Sequence, residues 1–175
     1  TGEMHVGSLA ISLKNYAFAK KHGGKFILRI EDTDKTREIE NGVQLIQDIL
    51  KKYNIEWDEG PGVGGDYGPY IQSERLDLYA QYAKLLVADK KAYYCFCTPE
   101  RLEAVREEHC KALSQEEIEK RLQNMEPHVI RLDVPQNQEI TFTDLIRGDI
   151  TFNSSTVDDQ VLLKSDGYPT YHMAV

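Results

Sequence analysis

The stretch that decides the fold is Phe26-Ile27-Leu28-Arg29-Ile30-Glu31-Asp32-Thr33-Asp34, an apolar run that ends abruptly in carboxylates. Such a run, which starts at Lys25 after His22-Gly23-Gly24, is typical of a buried parallel strand. Polar ligands gather at the carboxyl ends of such strands in open α/β sheets. The sequence therefore predicts a strand over 25–30 with a ligand site where it ends.

Helices are predicted on both sides of this strand. Ser8 can cap a helix that runs to about Lys21, and apolar spacing fits a second helix from Arg37 to Tyr53. A strand between two helices favours a doubly wound layer, so we expect an α/β fold. The Gly-rich segment 60–69 lacks the Lys-Ser/Thr of a P-loop and is expected to be a surface connection.

A second candidate site lies at the start of the chain, in Thr1-Gly2-Glu3-Met4-His5-Val6-Gly7-Ser8. This turn places His5 and Gly7 where a helix begins, and free backbone N–H groups bind phosphates there. His5 can donate a hydrogen bond to charge growing on a phosphate, and Gly7 lets the backbone approach a ligand. The structural alternative is an ordinary turn histidine beside a tight-turn glycine.

Further along, helical spacing resumes from Gln72 to about Asp89, and at Tyr93 the residue pattern changes to that of a short strand. We expect an inserted subdomain over 92–134, preceded by 1–91 and followed by 135–175. Within it, Thr98-Pro99 and the capping box Ser114-Gln115-Glu116-Glu117 each open a helix. Strands are predicted over 93–97, 128–134, 139–142, 149–153 and 161–164, with a last one from Thr170.

Composition sets broad limits on the function. The chain has 175 residues and a formal charge of −8, which argues weakly against a nucleic-acid surface within it. Its three cysteines do not suggest a secreted disulfide framework, and no apolar run approaches the ~20 residues of a membrane span. Because it starts on Thr1 and stops inside an apolar run, we interpret it as an internal fragment of a longer polypeptide.

Five blocks, in order, resemble the glutamyl-tRNA synthetase family of class I aminoacyl-tRNA synthetases. Thr1-Gly2-x-x-His5-x-Gly7-Ser8 resembles the first class I signature, and Arg29-Ile30-Glu31-Asp32-Thr33-Asp34 is similar to a segment typical of the glutamyl enzymes. The other three blocks that carry the resemblance are 68–75, 92–100 and 162–172.

The resemblance implies the first half of a Rossmann-like nucleotide-binding catalytic domain, with an inserted α+β subdomain that binds the tRNA acceptor end. It implies activation of L-glutamate by ATP with Mg²⁺, then transfer of glutamate to the 3′ end of tRNA(Glu). We expect a cytoplasmic, monomeric enzyme in keeping with the family, without a membrane partner. The fragment alone is expected to be inactive, because the family's second signature with its lysine loop is not in it.

The same resemblance assigns roles to individual residues. His5 and Gly7 match catalytic positions and, with Ser8, the ATP-binding turn, although Ser8 stands where the signature often has a second histidine. Glu31 matches the residue that binds the α-amino group of glutamate, and Tyr171 matches a tyrosine that contacts this amino acid. Taken alone, Glu31-Asp32-x-Asp34 fits equally a metal site or an acidic helix N-terminus, and Tyr171 fits core packing.

Cys95 and Cys97 raise the question of zinc. Some family members hold zinc in the insertion with such a pair and two later ligands, but the usual Tyr-Asp-Gly-x-Cys-Arg block is absent here. Cys110, His109 and His128 are the later candidates. A structural site needs four convergent ligands, so we predict no metal site and favour a reduced thiol pair over zinc.

Other functions stay open at this point. Within the enzymes, the first alternative is the paralogue that attaches glutamate to a modified base of tRNA(Asp), which also tends to carry His-x-Gly-Ser. Lys35-Thr36-Arg37 fits the synthetase better, and Asp34 with the Cys-x-Cys block argues against a glutaminyl enzyme. Outside the enzymes, the alternative is a non-catalytic nucleotide- or tRNA-binding remnant.

Overall fold

A computed structural model describes residues 4–33, 39–98, 108–144 and 146–174. The chain divides into two compact units, Thr1–Leu76 (unit 1) and Asp77–Val175 (unit 2). The inserted subdomain expected over 92–134 is a separate question from this division, and its bounds stay a prediction. Among the described residues, none of the helices combines the length and apolar character needed to cross a membrane.

In its described residues, unit 1 has two helices, α1 (Val6–Lys21) and α2 (Gly42–Lys52), and a short 3-10 helix, Gln72–Arg75. The helices enclose a small core, because each turns apolar side chains toward the segment around Phe26. The Tyr16 ring meets the Phe26 ring edge-on, with 5.8 Å between centroids. The buried members of this core are Phe26, Leu50, Ile55 and Trp57, packed against Met4, Leu9, Tyr16, Ala19, Leu28 and Ile46.

The predicted strand over 25–30 is only partly confirmed. Its parallel pairing is present, but as isolated bridges, Ile27 with Glu59 and Ile30 with Ile71, and not as a continuous ladder. The reason is that its hydrogen-bonding groups go to different segments: the Leu28 N–H donates to Glu59 O, and the Ile30 N–H to Tyr70 O. Phe26 and Ile30 are buried as expected, whereas Ile27 is exposed.

Two helix starts in unit 1 differ from the predictions. His5, not Ser8, is the N-cap of α1, while its end at Lys21 is as predicted. Helix α2 begins at Gly42, because Ile39 and Asn41 form a turn in which Asn41 has a left-handed backbone with φ 58°. Arg37, the predicted start of that helix, lies outside the described residues.

Unit 2 contains the helices α3 (Leu76–Ala88), α4 (Glu108–Lys111), α5 (Gln115–Gln123) and α6 (Tyr171–Ala174), of which α3 starts at the last residue of unit 1. An antiparallel sheet in the order β1-β2-β5 is formed by Ala92–Cys95, Val129–Leu132 and Val161–Leu163. A separate hairpin pairs β3 (Glu139–Asp144) with β4 (Gly148–Asn153). The buried centre of the larger sheet consists of Ala83, Ala92, Ile130 and Leu162.

The capping box at Ser114 and the strands β1 to β5 confirm the predictions for unit 2, within one to two residues at most ends. The predicted last strand from Thr170 is wrong. Thr170 adds one backbone hydrogen bond to Leu162 O, and its own carbonyl then accepts from the N–H groups of Met173 and Ala174. It therefore starts helix α6 and does not extend the sheet. The helix predicted after Thr98-Pro99 lies largely outside the described residues.

Candidate functional site

The first candidate site is the start of α1, where the His5 ring folds back over the helix. The Gly7 N–H donates to His5 Nδ1 across 3.1 Å, and His5 Nε2 lies 3.3 Å from Ser8 Oγ. Because Nδ1 accepts, the proton of the neutral imidazole belongs on Nε2. The ring is exposed to solvent and thus presents a donor N–H beside a hydroxyl group.

Gly7 is required by this arrangement. A Cβ atom at position 7 would lie 2.9 Å from His5 Cε1, a distance that real Cβ atoms essentially never show. It would also lie 3.0 Å from His5 Nδ1, at the limit of that range. From the sequence, Gly7 is expected to let a ligand approach the backbone. The structure adds a nearer reason, since the missing side chain leaves room for the His5 ring.

The electrostatics of this helix end suit an anion. The first turn of α1 has no acidic side chain, while Lys20 and Lys21 lie in its last turn. The N-terminus of a helix of 16 residues carries a partial positive charge from its free N–H groups. His5, Gly7 and Ser8, which were predicted from the sequence as one group, are therefore together and can offer hydrogen-bond donors to a phosphate.

The second candidate site follows Ile30. Glu31 is half-buried, and its Oε1 lies 3.7 Å from Nη2 of Arg29, so these side chains form a loose ion pair. Held by the bridge of Ile30 to Ile71, Glu31 keeps a carboxylate at the end of the extended segment.

Asp32 has a structural partner in the same unit. Its Oδ1 accepts from the Ser73 N–H at 2.8 Å, and its Oδ2 accepts from Ser73 Oγ at 2.5 Å. Asp32 thus stabilises the start of the 3-10 helix Gln72–Arg75. The alternative predicted from the sequence, an acidic cluster that stabilises the N-terminus of the next helix, α2, does not describe this contact. Asp34 lies outside the described residues. Within the described part of the chain, Glu31 and Asp32 do not join a group of three metal-ligating side chains.

Tyr171 lies in unit 2, as the first residue of α6, and its side chain is 63% exposed. Core packing, the structural alternative for this residue, is therefore excluded within the described chain. Among the described residues, the one ring–ring contact of Tyr171 is with His172, its neighbour in the chain. The two rings meet edge-on, with 5.7 Å between their centroids.

Gln72 is a candidate that the sequence argument did not single out. It is 1% exposed, and its Nε2 has no hydrogen-bond partner among the described residues. A buried amide without a partner is rare, so the position is a candidate for substrate contact. It lies beside Ser73, and its backbone N–H donates to Ile30 O one residue before Glu31. Only the structure shows its burial.

The cysteine question has a clear geometric outcome. Cys110 joins Cys95 and Cys97, and the three Sγ atoms all lie within 4.8 Å of one another. His128 is not part of this group, because its Nδ1 is 2.9 Å from Glu126 O and its ring lies beside Tyr94. The side chain of His109 lies outside the described part of the chain.

The whole chain matches one protein family. The model for the catalytic domain of class I tRNA synthetases (E and Q) covers residues 1–175, and the chain belongs to this family. Among curated relatives, it is 54% identical over 99% of its length to a glutamate–tRNA ligase of Fusobacterium nucleatum. It is 48% identical, over its full length, to a glutamate–tRNA ligase of Clostridioides difficile.

Solved structures agree with this assignment. A crystal structure of a glutamate tRNA ligase from Elizabethkingia meningosepticum, in complex with its amino acid, matches 99% of the chain with a TM-score of 0.88 and 39% identity. The predicted α/β class with a Rossmann-like catalytic domain is thereby confirmed. The chain spans 36% and 40% of the two curated relatives and 38% of that structure.

Proposed function

We propose that the protein activates L-glutamate with ATP to glutamyl-adenylate and transfers glutamate to the 3′ end of tRNA(Glu). The observation that carries this proposal is the 54% identity over 99% of the chain to a protein named glutamate–tRNA ligase. The hydrogen-bond donors at the start of α1 and the carboxylate of Glu31 support the activation step. The proposal includes a cytoplasmic, monomeric enzyme.

The start of α1 is proposed to bind the phosphates of ATP. Attack of the glutamate carboxylate at the α-phosphorus forms the adenylate, breaks the bond from this phosphorus to the bridging oxygen and releases pyrophosphate. Negative charge grows on the phosphoryl oxygens as this happens. A proton on His5 Nε2 can be donated to such an oxygen, and the hydroxyl of Ser8, 3.3 Å away, can add a second donor. Gly7 acts indirectly, because its N–H fixes the acceptor role of Nδ1 and thereby the tautomer. Mg²⁺ is expected with ATP, since it neutralises the phosphates; we assign it no ligand.

Glu31 and Tyr171 are proposed to bind the amino acid. A carboxylate facing the α-ammonium group of glutamate is a charge-assisted contact, and the half-buried position of Glu31 strengthens it relative to water. The exposed ring of Tyr171 is available for contact with this substrate. Arg29 would hold the Glu31 carboxylate in position through their ion pair.

The test is amino-acid-dependent exchange of pyrophosphate into ATP by the full-length product of the gene, with and without tRNA. Glutamate-dependent exchange that requires tRNA supports the ligase. Exchange with glutamate in the absence of tRNA would indicate the base-modifying paralogue instead. If a folded protein gave no exchange with glutamate or glutamine under either condition, the enzyme assignment would be abandoned for a binding protein.

Two pairs of variants test the residue roles in the same assay. Gly7→Ala should displace the His5 ring and lower exchange toward the ~10²–10³-fold loss expected when a transition-state donor is removed. Gly42→Ala is the matched control, because a Cβ there meets only Ile39 at an ordinary 3.7 Å. Equal rates for these two variants would remove His5 from the proposed chemistry.

The second pair concerns the amino acid. Glu31→Gln should raise the KM for glutamate by roughly 10- to 100-fold, the range for losing a hydrogen bond to a charged group, while the KM for ATP changes little. Glu56→Gln, at an exposed position on the same unit, serves as its control. A Glu31→Gln variant with an unchanged KM for glutamate would refute the ammonium contact.

A further inference from the structure

A cavity of about 610 Å³ lies in unit 2, against helix α3, strand β1 and helix α5. Its apolar wall is formed by Val87 of α3, by Leu113, and by Ile118 and Leu122 of α5. Sites for small molecules have volumes of roughly 300–1,000 Å³ and are mostly apolar with a few polar groups. The residues that line the cavity all belong to unit 2, so unit 1 contributes nothing to its walls.

Helix α5 turns its apolar residues toward this cavity. Ile118 and Leu122 lie one helical turn apart on the same face, and both line the cavity. Neither side chain is fully buried, and within the described chain neither belongs to one of the three buried clusters. The apolar face of α5 therefore has open space in front of it, into which an apolar molecule of suitable size can pack.

Strand β1 contributes its outer edge to the cavity. The strand lies at the edge of the larger sheet and pairs with β2 on one side. Ala92, Tyr93 and Tyr94 all line the cavity, although successive side chains of a strand point to opposite faces. A cavity that touches three residues in a row therefore runs along the free edge of the strand. Such an edge offers backbone N–H and C=O groups that can orient a bound molecule.

The charge at the cavity is opposite in sign to that of the chain. The lining contains three lysines, Lys84, Lys90 and Lys111, against one aspartate, Asp133, whereas the chain has a formal charge of −8. Lys111 is already neutralised, because its Nζ lies 2.6 Å from Asp133 and 2.7 Å from Asp159. Lys84 and Lys90 are exposed, and neither side chain forms an ion pair or a hydrogen bond with another described residue. Two ammonium groups are thus available to an anion at the cavity.

We propose that this cavity binds a small amphipathic organic anion, with its apolar body against Ile118 and Leu122 and its anionic group toward Lys84 and Lys90. An inorganic anion would leave the apolar wall in contact with water, and an organic cation would meet two like charges, so both should bind more weakly. Binding would tie α5 to α3 and β1 across the cavity. The inference does not rest on the proposed function, since the residues assigned to ATP and glutamate are not in the lining.

The test uses the full-length protein and two probes, octanoate and anilinonaphthalene sulfonate, whose fluorescence rises in apolar surroundings. The sulfonate should bind saturably, and octanoate should displace it, whereas acetate and octylammonium should not. Octanoate should also slow amide hydrogen exchange in peptides from 84–95 and 115–123, a readout that needs no variant. Displacement of the sulfonate by ATP or glutamate would assign it to the substrate site and overturn the proposal.

Variants of the lining test the two parts of the proposed contact. Lys84→Gln combined with Lys90→Gln should weaken sulfonate binding about 2- to 25-fold, because each exposed ion pair contributes roughly 1.5- to 5-fold. Leu122→Gln, which keeps a good helix former in α5, should weaken it roughly 3- to 10-fold through lost apolar contact. The matched control is Lys91→Gln combined with Lys120→Gln, which removes the same charge at exposed positions outside the lining. Equal affinities of the two double variants, or octanoate protection confined to other segments, would overturn the proposal.

Discussion

Unit 1 and unit 2 each bury a carboxylate against a lysine and a tyrosine. In unit 1, Glu59 is 2% exposed and accepts from Lys25 Nζ and from the Tyr70 hydroxyl, both at 2.7 Å. In unit 2, Asp159 is also 2% exposed; it lies 2.7 Å from Nζ of Lys111 and accepts from the Tyr93 hydroxyl at 3.0 Å. The chemistry of the two clusters is the same, and their positions in the fold differ.

Asp159 joins regular elements, whereas Glu59 joins a loop to an extended segment. The Asp159 carboxylate also accepts from the backbone N–H of Val134, so it links strand β1, helix α4 and the segment after β2. Lys111 is 30% exposed, against 60% for Lys25, so its charge has less access to water. Burial and the Asp159 hydrogen bond raise the pKa of Tyr93 far above its usual range, which keeps its hydroxyl protonated as a donor. Loss of the carboxylate should therefore cost more in unit 2.

Removal of the Asp159 side chain is the largest expected effect. Asp159→Ala leaves Lys111, the Tyr93 hydroxyl and the Val134 N–H without this partner, and it should lower the stability of unit 2 by about 3–5 kcal/mol. The measurement is amide hydrogen exchange of peptides from 77–175 in the full-length protein. Asp133→Asn is the control, because this 41% exposed partner of the same lysine should contribute ~0–1 kcal/mol. A loss below about 1 kcal/mol for Asp159→Ala would show that this buried carboxylate contributes no more than an exposed ion pair.

Gly65 tests how the Glu59 cluster depends on the loop. Its φ is +136°, and a Cβ atom there would meet the Tyr70 hydroxyl and the Glu59 carboxylate. Gly65→Ala should therefore cost about 2–4 kcal/mol in unit 1, from backbone strain and overpacking together. Gly64→Ala separates these causes: its φ of +83° is also strained, but nothing lies within 4 Å of the added atom, so ~1–2 kcal/mol is expected. Hydrogen exchange of peptides from 1–76 measures both, and equal losses would show that the contact with Glu59 does not matter.

The sequence predicted best those features whose partners are close in the chain. The Ser114 capping box and the end of α1 at Lys21 depend on neighbours within one turn, and both were predicted. Glu59 and Lys25 are 34 residues apart, and Asp159 and Tyr93 are 66 apart, so no local pattern indicates that these side chains meet. Cys110 was among the later partners considered for the Cys95 and Cys97 pair, but the spacing of 13 residues from Cys97 could not select it over His128.

The residues of the candidate sites also fall into those that local spacing predicts and those that depend on distant segments. His5, Gly7 and Ser8 could be grouped from their spacing alone, because they share the first turn of a helix. The N-cap was assigned to Ser8 because hydroxyl caps are common, and the structure gives it to His5 since the imidazole reaches the Gly7 N–H. The burial of Gln72 and the contact of Asp32 with Ser73 depend on pairing between distant segments, which spacing does not reveal.

The pH dependence of unit 1 should report on Glu59. The hydrogen bond from Lys25, and then that from Tyr70, lower the pKa of Glu59 below its ordinary 4.5. A carboxylate with a lowered folded-state pKa adds stability that is fully present above pH 4.5 and is lost as the pH falls through the folded value. Glu59→Gln should flatten this acid-side decline, whereas Glu56→Gln, which changes an exposed carboxylate, should leave it in place. Hydrogen exchange of unit 1 between pH 6 and roughly pH 3 gives the comparison, and identical profiles for both variants would assign the decline to other groups.

The smallest effects come from the helix caps, where the two units again differ. In unit 2, the Glu117 N–H donates to Ser114 Oγ at 3.3 Å, and the Ser114 N–H donates to Glu117 Oε2 at 3.0 Å, so two helix-end donors are satisfied. In unit 1, Asn41 caps α2 with a left-handed backbone and no side-chain hydrogen bond. Ser114→Ala should thus cost about 1 kcal/mol, while Asn41→Gly should change stability by only a few tenths, because glycine adopts that backbone freely. Local hydrogen exchange over 115–123 and 42–52 measures the two, and a loss at Asn41 as large as that at Ser114 would mean that the Asn41 side chain stabilises α2 by another contact.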